Sequence, residues 1–427
     1  MTDYLAPKYG GLLVFPEERY YGSSLPFGVD SFTPSNVHFL STEQVLEDLV
    51  SVLNHVKAKY GAVDCPVVAF GGSYGGTLTT FLRASHPESV VGGLAASAPI
   101  GYYDKDGWEA HGVDEFTWSD IVFKVYNETS ADESHQCMDY IHAAIDAVNA
   151  ADVEELAGIF NVCDKSAFSP KTPQVNSDLF VYALEGLPQQ NYPYKIGNLP
   201  GWPVNHTCGI LTSSGALDGN GNGNGNENTQ STHSTHSALI AAAATITNMV
   251  LNGGAASCIP PFPDGGVGRV PGDGPGAGNW GYQSCTETLH QFSSRGVRDY
   301  VFDMERTALD LCDEYFGPTV YPDTRALKAK FGGWKLGDGL AGVTNLIWSN
   351  GLLDPWSGGG FYENDLNKGN DNEDGNHYFT MVQGAHHLDL RGPNDEDPEQ
   401  VTEVREKEEK IIVGWIEDYV AKFTNKL

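Results

Sequence analysis

The chain has 427 residues, 40% of them hydrophobic, which is enough for two or three average domains or for one large enzyme domain carrying an insertion. Its 25 Lys and Arg against 56 Asp and Glu leave a net charge of −31, which argues against nucleic acid or an anionic membrane as partner and suits a solvated acidic surface in an acidic compartment. No apolar run reaches the roughly 18 residues that span a bilayer, so membrane insertion is not expected, and no basic and apolar leader opens the sequence.

Gly10 to Pro16 (GGLLVFP) is a short β-prone run closed by proline. Thr42 to Lys59 has apolar residues at Val45, Leu46, Leu49, Val52, Leu53 and Val56, the spacing of a helix with one buried face, capped by Ser41 or Thr42. Cys65 stands before an apolar strand and is expected to be a buried free thiol. Pro66 to Phe70 is that strand, Thr77 to Ala84 a helix closed by His86-Pro87, and Val90 to Ala95 another strand. Strand, helix, strand, sharp turn, helix and strand make a parallel α/β arrangement.

From about residue 108 the character shifts to helical, cysteine-rich segments such as Cys137 to Ala151, which read as an insertion. Ala238 to Leu251, the longest greasy patch, is too short to span a bilayer and reads as a helix. Gly219 to Asn228 and Pro260 to Gly278 are low-complexity loops of linker composition. Strands resume at Val343 to Ser349 and His377 to Val382, and an amphipathic helix runs from Glu403 to Phe423. The expected division is residues 1–108, 109–275 and 276–427, the middle part interrupting an α/β domain.

Six of the seven cysteines, Cys137, Cys163, Cys208, Cys258, Cys285 and Cys312, fall in or beside the middle part. None forms a C-x-x-C pair, so disulfides are expected rather than zinc, with the pairing open. Two sequons, at Asn127 and Asn205, agree with a secretory route.

Gly71, Ser73 and Gly75 spell G-x-S-x-G, a string that about 0.4 random matches would supply in a chain of this composition. Its setting is more specific: a strand before it and a helix after it are what a nucleophile elbow requires, with the flanking glycines relieving a strained turn. A serine hydroxyl is a poor nucleophile unaided, so a base and an orienting acid must follow. Asp354 lies in the loop after VTNLIWS, and His386 and His387 lie in the loop after HYFTMV, in the order Ser, Asp, His. Taken singly, each has a plainer reading. Asp354 before Pro355 fits an ordinary turn, Asp389 is an alternative acid that would have to fold back on His386, and spacing alone does not choose between the two histidines.

The strings LLVFPEERYYGSSLPFG, FGGSYGG, NWGYQSCTE, SNGLLDPWSGGG and GAHHLDLR closely resemble the serine peptidase family of lysosomal Pro-Xaa carboxypeptidase and dipeptidyl-peptidase II. The resemblance implies an α/β-hydrolase fold with an inserted helical, disulfide-stapled cap, and cleavage of short proline-containing peptides without metal or organic cofactor. By it, Ser73 is the nucleophile, Asp354 the orienting acid, His386 the general base, and the backbone N–H of Tyr74 an oxyanion donor. Trp356 becomes a candidate wall of a proline pocket, while His387 and Arg391 support the histidine loop. It leaves open Pro-Xaa carboxypeptidase or dipeptidyl-peptidase action, a general esterase, a non-catalytic binding module, and a homodimer. The expected location is the lysosome, the vacuole or the exterior.

Two departures stand out. Where the family usually has Glu-His-Arg-Tyr-Tyr-Gly, this chain has Glu17-Glu18-Arg19-Tyr20-Tyr21-Gly22, a histidine replaced by a carboxylate. The family's first strands, its Gly-Asn-Glu-Gly oxyanion loop and its signal peptide are also missing ahead of Gly10, so the expectation is an N-terminally short version whose Met1 is not the true start.

Overall fold

The computed structural model describes residues 2–129, 136–172, 176–214, 229–252, 258–259, 279–307, 312–334, 343–363 and 375–424. The two low-complexity loops, Gly219 to Asn228 and Pro260 to Gly278, lie outside the described residues. The chain forms two compact units: Met1–Thr117 with Gly274–Phe292 and Val301–Leu427, and Trp118–Asp273 with Ser293–Tyr300.

The first unit is α/β. It contains helix α1 (Thr2–Tyr9), helix α2 (Thr42–Tyr60), strand β1 (Val68–Gly72), helix α3 (Tyr74–Ser85) and strand β2 (Gly92–Ala96). The four-stranded sheet is completed by β3 (Leu346–Gly351) and β4 (His377–Met381), in the order β1-β2-β3-β4, and every neighbouring pair is parallel. Parallel strands are buried on both faces and read as unbroken apolar or small-residue runs, which is why GGLAA of β2 is wholly buried. Leu94 and Ile347 from the sheet pack with Ile412 and Trp415, which belong to the helix running Glu399–Thr424. That helix can lie close because β2 begins with glycine: a Cβ on Gly92 would sit 2.2 Å from the Trp415 ring. Helix α2 starts at Ser41, whose hydroxyl accepts from the Gln44 N–H, and ends at Gly61 in the left-handed conformation, so Ser41 rather than Thr42 is the cap.

The second unit is helical. Its helices are α4 (Thr117–Thr129), α5 (Cys137–Ala150), α6 (Val153–Phe160), α7 (Asp178–Gly186), α8 (Pro203–Thr212) and α9 (Thr229–Thr247), and α9 packs against α5, α6, α7 and α8. Ile141, Val148, Phe160, Phe180, Leu184, Leu211 and Ile246 form its buried interior. Cys137–Cys208 ties α5 to α8 and Cys163–Cys258 closes a separation of 95 residues, while Cys285–Cys312 lies in the first unit. Loops of these lengths make each bridge worth on the order of 4 kcal/mol if chain entropy dominates.

Two expectations are corrected. Gly10 to Pro16 is not a strand: it follows α1 as irregular chain, with Leu12, Leu13 and Phe15 at 62%, 37% and 74% exposure. Strand propensity is realised only against a partner, and none of the described strands pairs with this segment. Cys65 is a free thiol but exposed, because it sits in the turn where its N–H reaches the Ala62 carbonyl, before the chain enters the sheet. Among the described residues, no helix is long and apolar enough to cross a membrane.

Candidate active site

The four parallel strands bring their carboxyl ends to one edge, and three loops leave that edge carrying Ser73 after β1, Asp354 after β3 and His386 after β4. Ser73 occupies the turn between β1 and α3 with φ 59° and ψ −128°, a region that non-glycine residues adopt at a cost of about 1–3 kcal/mol. What holds it there is close packing: its N–H donates to the Ala96 carbonyl at 2.9 Å, and a Cβ on Gly71 would lie 2.0 Å from the Gly75 carbonyl oxygen. The Ser73 hydroxyl makes no capping bond to the helix it precedes, so it is not committed to a structural task.

Asp354 is fully buried and divides its two oxygens. Oδ1 accepts from the Trp356 N–H at 3.0 Å, forming the turn that its position before Pro355 suggested, while Oδ2 lies 2.7 Å from His386 Nδ1. The turn reading and the acid reading of Asp354 are thus compatible, since the turn bond aims the other oxygen. Asp389 does not reach the imidazole; its Oδ2 accepts the Ser349 hydroxyl at 2.6 Å. Of the two histidines, His386 is paired with the Asp354 carboxylate, while His387 turns toward the elbow. A Cβ on Gly72 would meet His387 Cδ2 at 2.8 Å, and the two imidazole centroids are 4.4 Å apart, so the histidine loop packs directly against the residue preceding Ser73.

Ser97 and Arg405, which carry no sequence signature, hold this loop together with His387 and Arg391. His387 has φ 41°, and its N–H donates to Ser97 Oγ at 2.8 Å; Ser97, itself at φ 50°, follows β2. Arg405, on the Glu399–Thr424 helix, donates to the Leu388 and Asp389 carbonyls at 2.8 and 2.9 Å. Arg391 places its charge near His387, whose pKa burial, then the neighbouring His386 and Arg391 charges, push down to about 3. These partners come from distant segments, and only a pairwise geometric relation reveals them.

Trp356 is 7% exposed and belongs to an aromatic cluster with Tyr102, His290 and Phe292, its ring centroid lying 4.9 Å from His290 and 6.3 Å from His386. The Tyr102 hydroxyl donates to the Pro355 carbonyl at 2.9 Å, fixing the Asp354 turn from the opposite side. Burial lowers the His290 pKa to about 3. A histidine depressed below its unfolded value of about 6.5 contributes stability that is intact above that pH and is lost as pH falls toward 3. Replacing His290 with Phe is therefore expected to favour the variant over the wild type, by about 2–3 kcal/mol, when thermal melts at pH 4.5 are compared with melts at pH 7.5. An equal difference at both pH values would refute a neutral buried imidazole.

Tyr74 is the first residue of α3, as its position after Ser73 requires. Asn127 is exposed on α4, and Asn205 is half-buried on α8. All six cysteines of the sequence reading are paired. No group of three His, Cys, Asp or Glu side chains suited to a metal ion occurs among the described residues.

A sequence model of the serine carboxypeptidase S28 family matches residues 2–408. Lysosomal Pro-X carboxypeptidase of Homo sapiens is 31% identical over 430 residues, covering 97% of this chain and 77% of that protein. The protein of the same name from Mus musculus is 32% identical over 432 residues, covering 97% and 77%. Thymus-specific serine protease of Homo sapiens is 26% identical over 370 residues, covering 82% and 65%. A family match across nearly the whole chain, joined to a relative above 30% identity, identifies this protein as a serine peptidase belonging to the serine carboxypeptidase S28 family.

Proposed function

We propose that the protein is an exopeptidase that cleaves short peptides beside proline, through Ser73 as nucleophile, His386 as general base and Asp354 as the orienting acid. The observation that carries this reading is the 2.7 Å contact between the buried Asp354 carboxylate and His386 Nδ1, at the sheet edge from which Ser73 also emerges. With Nδ1 engaged by Asp354, the other ring nitrogen, Nε2, is the site that takes the Ser73 proton as Oγ attacks the scissile carbonyl carbon. The Asp354 charge stabilises the imidazolium that results, and the Tyr74 N–H stabilises the negative carbonyl oxygen. His386 then gives the proton to the departing nitrogen, which leaves an acyl-enzyme on Ser73. Water, deprotonated by the same imidazole, hydrolyses it.

In this reading residues 1–108 and 276–427 are the α/β-hydrolase domain, and residues 109–275 its helical cap. The flat Trp356 indole, with Tyr102 and Phe292 beside it, offers a surface suited to a pyrrolidine ring. Relatives named lysosomal Pro-X carboxypeptidase favour action at the carboxyl end of the substrate and a lysosomal, vacuolar or secreted location. Three disulfides fit such an oxidising route.

A blocked peptide ending in Pro-Xaa is expected to be cut at pH 5, releasing the free terminal amino acid, whereas a free-amine Xaa-Pro amide is not. Mass spectrometry of the products decides between them. Cleavage of the amide alone would make the enzyme a dipeptidyl-peptidase, and cleavage of simple esters alone would replace the peptidase reading with an esterase.

A further inference from the structure

The Glu18 carboxyl group is not idle in the structure. Helix α10 (Asn279–Ser284) supplies Gln283, a fully buried side chain. Its amide nitrogen donates to Glu18 Oε1 at 3.2 Å and to the Tyr74 hydroxyl at 2.9 Å, while its amide oxygen receives the Tyr21 hydroxyl. With Glu18 ionised the amide orientation follows from chemistry: a carboxylate offers only acceptors, so the nitrogen faces it. The Tyr74 hydroxyl also meets Thr42 Oγ1 at 3.2 Å, and its ring stands edge-on to Trp280 with centroids 5.2 Å apart. Tyr74 directly follows Ser73, so a ring held at its far end fixes the first turn of α3, including the backbone N–H assigned to the oxyanion.

We propose that Glu18 is a positioning residue for the oxyanion site: through Gln283 it holds Tyr74, and its charge state is felt there. The inference rests on the reading of Tyr74 as an oxyanion donor. Burial raises the Glu18 pKa to about 7; the hydrogen bond from Gln283 and then the charge of Arg19 in the same segment oppose this, and Asp48 on α2 and Glu287 beyond α10 reinforce it. Arg19 is itself committed to Asp48, at 2.6 and 2.7 Å, and Glu287 accepts the Thr42 N–H at 2.8 Å. Burial, and after it the charge of ionised Glu18, raise the pKa of Tyr74, so the two groups are electrostatically linked. Below about pH 7 a neutral carboxyl still accepts from Gln283 without placing negative charge near the developing oxyanion; above it, the carboxylate opposes that oxyanion.

The test compares wild type, Glu18→Gln and Glu18→Leu, each checked for folding by thermal melting, from pH 4.5 to 9 on a blocked Pro-Xaa peptide and on p-nitrophenyl acetate in parallel. For wild type, kcat/KM should fall about tenfold between pH 6.5 and 8.5 on both substrates. Glu18→Gln, which keeps an acceptor and loses the ionisation, should retain kcat at pH 5 and lose that alkaline fall. Glu18→Leu, with no acceptor, should lower kcat about tenfold at every pH with little change in KM. An alkaline limb shared by wild type and Glu18→Gln, or a Leu variant that changes KM alone, would overturn the proposal. Ester cleavage with these signatures but no peptide cleavage would instead sink the prolyl reading and leave the role of Glu18 standing.

Discussion

Ser73→Ala is expected to lower kcat on a blocked Pro-Xaa peptide by about 10⁶ while leaving the fold intact. In the proposed mechanism alanine removes the oxygen that is acylated, and the pathway through an acyl-enzyme has no substitute for it. The residual rate comes from the oxyanion donor and substrate positioning alone. Thermal stability should change little, because the Ser73 hydroxyl makes no capping bond and alanine inherits the same left-handed backbone. A serine-directed phosphonate should label the wild type and not the variant. A variant that keeps more than about one hundredth of the wild-type kcat would remove Ser73 from the mechanism.

Asp354→Asn is expected to cost about 10⁴ in kcat. The reason lies in how Asp354 uses its two oxygens. If the asparagine oxygen keeps the Trp356 N–H, its amide nitrogen must face His386 Nδ1 as a donor. The ring then carries its proton on Nε2, the nitrogen that must be free to take the Ser73 proton, and the developing imidazolium loses its counter-charge. Asp389→Asn is the control. It should disturb the bond from Ser349 and lower stability, yet leave kcat within about tenfold of wild type, since Asp389 accepts from Ser349 rather than from the imidazole. The reverse pattern, a severe loss at Asp389 and a mild one at Asp354, would reassign the acid.

Local pattern was a good guide to the elements that build the sheet edge. The apolar spacing of α2 and the short apolar or small-residue runs of β1, β2, β3 and β4, of which β2 and β3 are wholly buried, were readable because neighbouring residues along the chain define them. Gly10 to Pro16 misled for the complementary reason: β-prone residues form a strand only when another strand supplies hydrogen bonds, and a linear pattern carries no information about that partner. Cys65 misled because burial was inferred from the apolar neighbours that follow it, while the turn that precedes β1 keeps the thiol outside.

The sequence by itself determined the parallel α/β class, the elbow around Ser73, and the order in which an acid and a base follow it. These depend on periodicity and on short-range turn chemistry, which neighbouring residues specify. Only the tertiary structure showed that His386 meets Asp354, that Asp389 instead accepts from Ser349, and how the six cysteines pair. It alone joined Glu18 to Tyr74 through Gln283. Each of these is a contact between residues far apart along the chain, so its existence depends on where the sheet and helices carry side chains in space. Hydrogen bonding is decided within a few tenths of an ångström and a narrow range of angles, a scale that residue identity and spacing do not encode.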